Sequence, residues 1–269
     1  MQAFFLPARY GQRFCLFHAA RHPKARGAVI YLHPFAEEMN KSRRMAALQA
    51  SAMADAGFDV LQIDLLGCGD SSGDFADATW QAWEDDVFFA YEWLRTQSQA
   101  PLTLWGLRAG ALLAATAAVN LPEQPDFIFW QPVVSGKQHW QQFMRLKMAG
   151  GLASGQGKGS IEQIRQRLAA GQAVEIAGYT ISPGLADGLK NAELRPPASH
   201  LARICWLELS TRQDASFGPA SQTCIEQWQS AGFNIEAKIV EGPAFWQTIE
   251  IEDCPTLIAE NLAVLTSWQ

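Results

Sequence analysis

Two periods alternate along the chain's pattern of apolar positions. Residues 28–33 (AVIYLH), 59–65 (DVLQIDL), 102–105 (LTLW) and 127–131 (FIFWQ) are short, nearly continuous apolar runs. Strands covered on both faces of a parallel sheet read this way. Between them lie helical patterns at 42–56, stopped by Gly57, at 79–96 and at 108–119. Residues 4–7 and 13–19 predict an opening β-hairpin turning at Tyr10-Gly11.

From about 133 to 200 the pattern changes. Glycine, lysine and glutamine increase, GGLASGQGKGS (150–160) is nearly low-complexity, and only short helical patterns appear. This region is expected to be an insertion, a lid over the sheet with a mobile loop at about 150–160. Alternation then resumes with a strand at 204–210, a helix at 219–231, a strand at 235–240 and a helix at 255–267. Strands alternating with helices around one insertion predict a single α/β domain over 1–269. The order of elements is that of the α/β-hydrolase fold: a mostly parallel, doubly wound sheet with an N-terminal antiparallel hairpin and a lid.

Composition narrows the partners. The chain has 269 residues, 48% of them hydrophobic, which is enough for a large core. A net charge of −6 argues against nucleic acid or an anionic membrane surface as the main partner. The short basic run Lys41-Ser42-Arg43-Arg44 reads as a solvated helix start. No stretch approaches the ~20 apolar residues of a membrane helix, and MQAFFLPARYGQRF lacks the charged and apolar regions of a signal peptide. Five cysteines, odd in number and without CxxC spacing, fit reduced thiols in a cytoplasmic protein.

The candidate chemistry centres on LTLWGLRAG (102–110). Gly106-Leu107-Arg108-Ala109-Gly110 has the frame of a nucleophile elbow, G-x-S-x-G, on a strand-to-helix turn, with Arg108 where the serine belongs. Hydrolysis on this fold also needs an acid, a histidine and two backbone N–H groups forming an oxyanion hole. The N–H groups of Ala109 and of Phe35, in the loop after the strand at 28–33, hold those two places. Asp214 stands at the acid position, in the turn after the strand at 204–210. In Glu241-Gly242-Pro243-Ala244-Phe245-Trp246, Phe245 stands where a histidine is expected. None of the five histidines (His18, His22, His33, His139, His200) substitutes by position. Nucleophile and base are therefore both missing from their places, and a serine mechanism is excluded on this reading.

A guanidinium is permanently charged and cannot take a proton at neutral pH, but it binds anions, and a helix N-terminus assists it. Arg108 therefore either recognises a phosphate, carboxylate or acidic sugar, or pairs internally with Asp214, Glu37, Glu38 or Glu241. GCGDSSGD (67–74) is not a dinucleotide fingerprint, and it reads as the turn after a hydrolase's fourth strand. Cys68 within it is a weak nucleophile candidate, having no histidine partner. No spacing suggests a metal site, and no cofactor is implied. The tryptophans are mostly core, but Trp130, Trp140 and Trp246 lie near strand ends and the lid, where they suit an apolar or sugar-binding pocket. His33, Glu37, Glu38, Arg108, Trp130 and Trp246 are the candidate binding residues.

The stretches HPFAEEMNKSRRMAALQA, LQIDLLGCGDSSGDF, LWGLRAGALLAA, FWQPVVSGKQHWQQFMRLK and AVEIAGY closely resemble the second type of exosortase-A-system-associated hydrolases. The resemblance runs from about residue 13 to residue 246. It implies the α/β-hydrolase fold and an arginine in the elbow. It also implies a place among bacterial genes for exopolysaccharide production and PEP-CTERM protein sorting, with an acyl-, phosphate- or sugar-bearing ligand or a protein of that machinery as partner. The competing expectation is an active esterase or thioesterase-like enzyme of non-serine mechanism, with Asp214, Glu37 or Glu241 as base.

Overall fold

A computed structural model describes residues 1–152, 157–197 and 202–268. The core of the structure is an eight-stranded sheet. Its strands, in chain order, are β1 (Gln2–Pro7), β2 (Gln12–His18), β3 (Gly27–Leu32), β4 (Phe58–Ile63), β5 (Leu102–Leu107) and β6 (Asp126–Trp130), then β9 (Arg203–Ser210) and β10 (Asn234–Glu241). They lie in the order β1-β2-β4-β3-β5-β6-β9-β10. β1 and β2 form the expected antiparallel hairpin, β2 runs antiparallel to β4, and every pairing from β4 to β10 is parallel. Helices α1 (Glu37–Asp55), α2 (Trp80–Gln97), α3 (Ala109–Ala118), α7 (Pro219–Ser230) and α8 (Pro255–Ser267) connect or close the strands.

Between β6 and β9 the chain forms α4 (Gly136–Leu152), α5 (Gly157–Ala169), the small antiparallel pair β7 (Val174–Ile176) and β8 (Tyr179–Ile181), and α6 (Pro183–Asn191). The helices there are longer than the sequence pattern suggests. α4 runs through Gly150 and Gly151 to Leu152, and α5 begins at Gly157, so helix takes up both ends of the expected mobile loop. Its centre, 153–156, falls outside the described residues, as does His200.

The continuous apolar runs are explained by burial on both faces. All six residues of β3 and of β5 are buried. Alternate residues serve opposite cores. Phe127, Phe129, Ile204 and Trp206 pack towards α2, α3 and α7, while Ile128, Trp130, Cys205 and Leu207 pack towards α1 and α8. Each large apolar side chain fully buried this way contributes roughly 1.5–3 kcal/mol.

One buried ion pair fastens the hairpin to α2. Arg13 Nε donates to Asp86 Oδ1 at 2.7 Å, both side chains being 1% exposed. Asp86 Oδ2 accepts the Leu66 N–H at 2.7 Å, and Arg13 Nη1 donates to the Tyr10 carbonyl at 2.7 Å. The pair thereby fixes the turn after β4.

The structure corrects one boundary that matters below. α1 starts at Glu37, five residues before the start that periodicity suggests. Its N-cap, Ala36, has φ 52° and supplies no side-chain cap, so the usual start signal is missing. Glu37 and Glu38 fill the first turn instead, where the helix dipole favours carboxylates. The basic run 41–44 is thus the second turn of the helix.

Candidate functional site

The register of the sheet gathers the loops of the site. Leu32 pairs with Gly106 and Leu107 with Trp130, so the carboxyl ends of β3, β5 and β6 lie side by side. Arg108 follows β5 directly and turns the chain into α3 with φ 56° and ψ −120°. Both flanking glycines are sterically required. A Cβ on Gly106 would stand 2.5 Å from the Ala111 backbone, and one on Gly110 would stand 2.1 Å from the Leu32 carbonyl oxygen. This is the geometry of a nucleophile elbow, with arginine at its tip.

Neighbouring loops hold the tip in place. Arg108 N–H donates to the Trp130 carbonyl at 3.0 Å, and its own carbonyl accepts from Val133 N–H at 3.2 Å. Ala36 and Gln131, on the two adjacent loops, also have positive φ (52° and 41°). A non-glycine residue in such a conformation costs on the order of 1–3 kcal/mol and persists only where its surroundings dictate it. Three of them converge on one place.

The Arg108 side chain points into a cavity of about 320 Å3 between these loops, α1 and α4. Its Nε donates to Glu38 Oε1 at 3.3 Å, its Nη1 lies 3.4 Å from the Gln131 carbonyl, and its guanidinium carbon lies 5.4 Å from the centre of the Trp246 ring. Of the four carboxylates weighed from the sequence, Glu38 is the partner, because α1 begins early enough to aim its second residue inward. Glu37 also lines the cavity. Asp214 and Glu241 are exposed and form no ion pair among the described residues.

Burial pushes the Glu38 carboxyl up from its ordinary value, opposed by the Arg108 charge. Oε2 of Glu38 lacks a well-formed hydrogen bond, although the Gln247 side chain lies beside it. Lys41 stands at the rim and donates to the Gln247 carbonyl at 3.3 Å.

The other sequence candidates divide. Phe35 lines the cavity, its ring 5.0 Å from that of Phe143 on α4. Ala109 opens α3, so its N–H has no carbonyl one turn earlier in the helix. Phe245 is 1% exposed and packs edge-on against Trp130 and Trp246, so the place expected for a histidine is filled by core packing. Trp246 lines the cavity. Trp130 does not: its indole N–H donates to Asn261 Oδ1 at 2.7 Å, and the ring supports Phe245 from within the α1–α8 core.

His33 also turns away from the cavity. Its Nδ1 lies 2.8 Å from the Pro34 carbonyl and its Nε2 3.3 Å from the Leu65 N–H, so the neutral ring donates from Nδ1 and braces two loops. Cys68 is buried, and desolvation together with Asp64 and Asp86 raises its thiol, which leaves it no thiolate to attack with at neutral pH.

Sequence reasoning missed His139. It sits one turn into α4, is 93% buried and lines the cavity, and neither ring nitrogen has a partner. Desolvation, reinforced by the Arg108 charge, lowers its pKa to about 3, so the imidazole is neutral. The helical spacing of His139, Gln142 and Phe143 was a usable signal, because positions i, i+3 and i+4 share a face and all three line the cavity.

A larger groove, about 920 Å3, lies at the opposite, amino-terminal end of the strands. Its two acids are occupied: Arg203 holds Asp126 at 2.6 Å, and Asp59 accepts the Ala20 N–H at 2.8 Å. The smaller cavity, with its elbow and unpartnered polar atoms, is the candidate site.

Residues 23–163, just over half of the chain, match the family described as serine aminopeptidase, S33. The chain belongs to this family. Within its span lie the elbow, Glu38 and His139. The human protein ABHD12B is 32% identical over 111 residues, which is 41% of this chain and 29% of that relative's length.

Among solved structures, Est1E from Butyrivibrio proteoclasticus with ferulic acid bound superposes with a TM-score of 0.67 at 13% identity over 99% of both chains. XC6422 from Xanthomonas campestris, described as an α/β serine hydrolase without lid, gives 0.58 at 15% identity, over 99% of this chain and 92% of that one. These likenesses establish the α/β-hydrolase fold of the S33 chain. No helix among the described residues is long and apolar enough to cross a membrane.

Proposed function

We propose that this chain is a ligand-binding member of its family that has given up serine chemistry and serves exopolysaccharide biosynthesis and PEP-CTERM protein sorting in the bacterial cytoplasm. In this reading residues 1–269 are one domain, and the segment at about 133–200 is its lid. The observation that carries it is Arg108 at the tip of an intact elbow, its guanidinium turned onto Glu38. A guanidinium neither attacks a carbonyl nor accepts a proton. The buried Phe245 supports the same reading, since it fills the place where the triad histidine is expected. The backbone N–H groups of Phe35 and Ala109 do not depend on either side chain, and in this reading they serve a ligand oxygen. The quoted family stretches supply the exopolysaccharide context, and the partner is a small acyl-, phosphate- or sugar-bearing ligand or a protein of that machinery.

The purified protein is expected to stay unlabelled by fluorophosphonate probes and to leave p-nitrophenyl and acyl-CoA esters intact. Stoichiometric labelling of any serine overturns the reading. A second reading, a hydrolase in which a carboxylate activates water, is favoured by one observation: Glu37 and Glu38 both line the cavity, each with a carboxylate oxygen that lacks a well-formed hydrogen bond. Ester turnover that survives Asp214→Ala but is lost in Glu37→Gln identifies that enzyme.

A further inference from the structure

Thirteen buried side-chain nitrogen and oxygen atoms among the described residues lack a well-formed hydrogen bond, and five of them belong to residues that line the cavity at the elbow. They are Glu37 Oε2, Glu38 Oε2, both ring nitrogens of His139 and Trp246 Nε1. Buried polar atoms without partners are costly, so a cluster of them marks a place where hydrogen bonds come from outside the chain. Their types specify the visitor. Carboxylate oxygens need donors. The indole N–H needs an acceptor, and a neutral imidazole needs one of each.

A phosphate or carboxylate offers acceptors only. It would satisfy Trp246 and half of His139 while facing two carboxylates, and the Arg108 charge that would attract it is already matched by Glu38 at 3.3 Å. An ammonium offers donors only and would meet Arg108 and Lys41. A fatty acyl chain satisfies none of the five atoms. Hydroxyl groups both donate and accept, and several on one small molecule meet all three demands.

The charges agree with this. Arg108 and Lys41 are balanced by Glu37 and Glu38, so the lining is close to neutral. Phe35 and Phe143 supply the apolar wall that the C–H face of a sugar ring covers, and about 320 Å3 lies at the small end of ligand pockets.

Resting on the reading of the site as a binding pocket, we infer that its ligand is an uncharged, hydroxyl-rich saccharide unit, held by Glu37, Glu38, His139 and Trp246. Arg108 is then a positioning residue that orients Glu38 rather than an anion hook.

Two variants delete polar atoms and keep aromatic bulk: His139→Phe and Trp246→Phe. The wild-type protein is applied to an array of neutral and acidic glycans, and the glycan retained most strongly is carried into calorimetry with the variants, with inorganic phosphate and octanoate run beside it. A neutral glycan is expected to be retained, and each variant, folded by circular dichroism, is expected to weaken it: Trp246→Phe about three- to tenfold, the loss of one net hydrogen bond, and His139→Phe, which loses two, at least as much. Preference for uronic, sulfated or phosphorylated glycans overturns the inference. So does tighter binding of phosphate or octanoate, retention of no glycan, or unchanged affinity in both variants. A serine labelled by a fluorophosphonate would instead overturn the proposed function while leaving a neutral-sugar result standing, so the two failures are distinguishable.

Discussion

Arg13 and Arg108 both meet carboxylates largely out of solvent, and they are built for different ends. Arg13 and Asp86 meet at 2.7 Å, each 1% exposed, and Asp86 completes its shell with the Leu66 N–H while Arg13 donates to the Tyr10 carbonyl. Arg108 and Glu38 meet at 3.3 Å with side chains 13% and 10% exposed, and Glu38 keeps one oxygen without a well-formed hydrogen bond. A closed pair holds structure. An open one waits for something else. Interior polarity is therefore informative through its unfinished hydrogen bonds rather than through its charge.

The strongest way to break this comparison is to remove one acid at a time. Asp86→Ala strands a guanidinium and an amide in the core and should cost about 3–5 kcal/mol in urea unfolding. Glu38→Gln should change stability by no more than about 1 kcal/mol, because the lost charge pairing is offset by the lost desolvation. The sign follows from its raised pKa: the neutral form is the one the fold favours, so the carboxyl's contribution is full below its ordinary 4.5 and is lost as pH rises through the raised value. Equal losses in the two variants would erase the distinction.

His139 sharpens the comparison through pH. Its pKa falls from 6.5 to about 3 on folding, so it contributes stability above 6.5 that drains away as pH falls towards 3, where the unfolded ring is protonated and the buried one resists. The unfolding free energy of wild type minus that of His139→Phe should therefore decline by a few kcal/mol between pH 7 and pH 3. A flat difference would show that the ring is hydrated and not enclosed.

The smallest effect separates strain from charge at the elbow. Arg108→Gly and Arg108→Ala both discard the guanidinium, but only alanine keeps a Cβ at φ 56°. Glycine should be the more stable by about 1 kcal/mol in thermal unfolding. Alanine matching glycine would mean that the turn has relaxed out of its elbow geometry.

What the sequence disclosed, and what it hid, follows from the range of the interactions. The elbow was legible because its determinants, Gly106 and Gly110, lie within five residues and answer to local sterics. The strands were legible because burial on both faces writes an unbroken apolar run. The start of α1 was not, because Ala36 takes a positive φ without offering a capping oxygen, so the usual sequence mark is absent. That single omission left Glu38 tied with Glu37, Asp214 and Glu241 as partner of Arg108. His139 was hidden for another reason: its spacing with Gln142 and Phe143 marks a shared helix face, but that face reaches the site only when α4 folds back over loops a hundred residues earlier in the chain. Trp130 erred the opposite way. It stands at a strand end, but the alternation of the sheet sends it to the other face, where Asn261 holds it.

All five cysteines are buried, and burial raises every thiol, Cys15 and Cys224 to about 12. For the experimenter this is a blank background. A maleimide at neutral pH meets no native thiolate, so one cysteine introduced at the exposed Gln142, on the rim of the cavity, becomes the chain's own reporter. A fluorophore there reads occupancy of the pocket directly, without first engineering the native residues away.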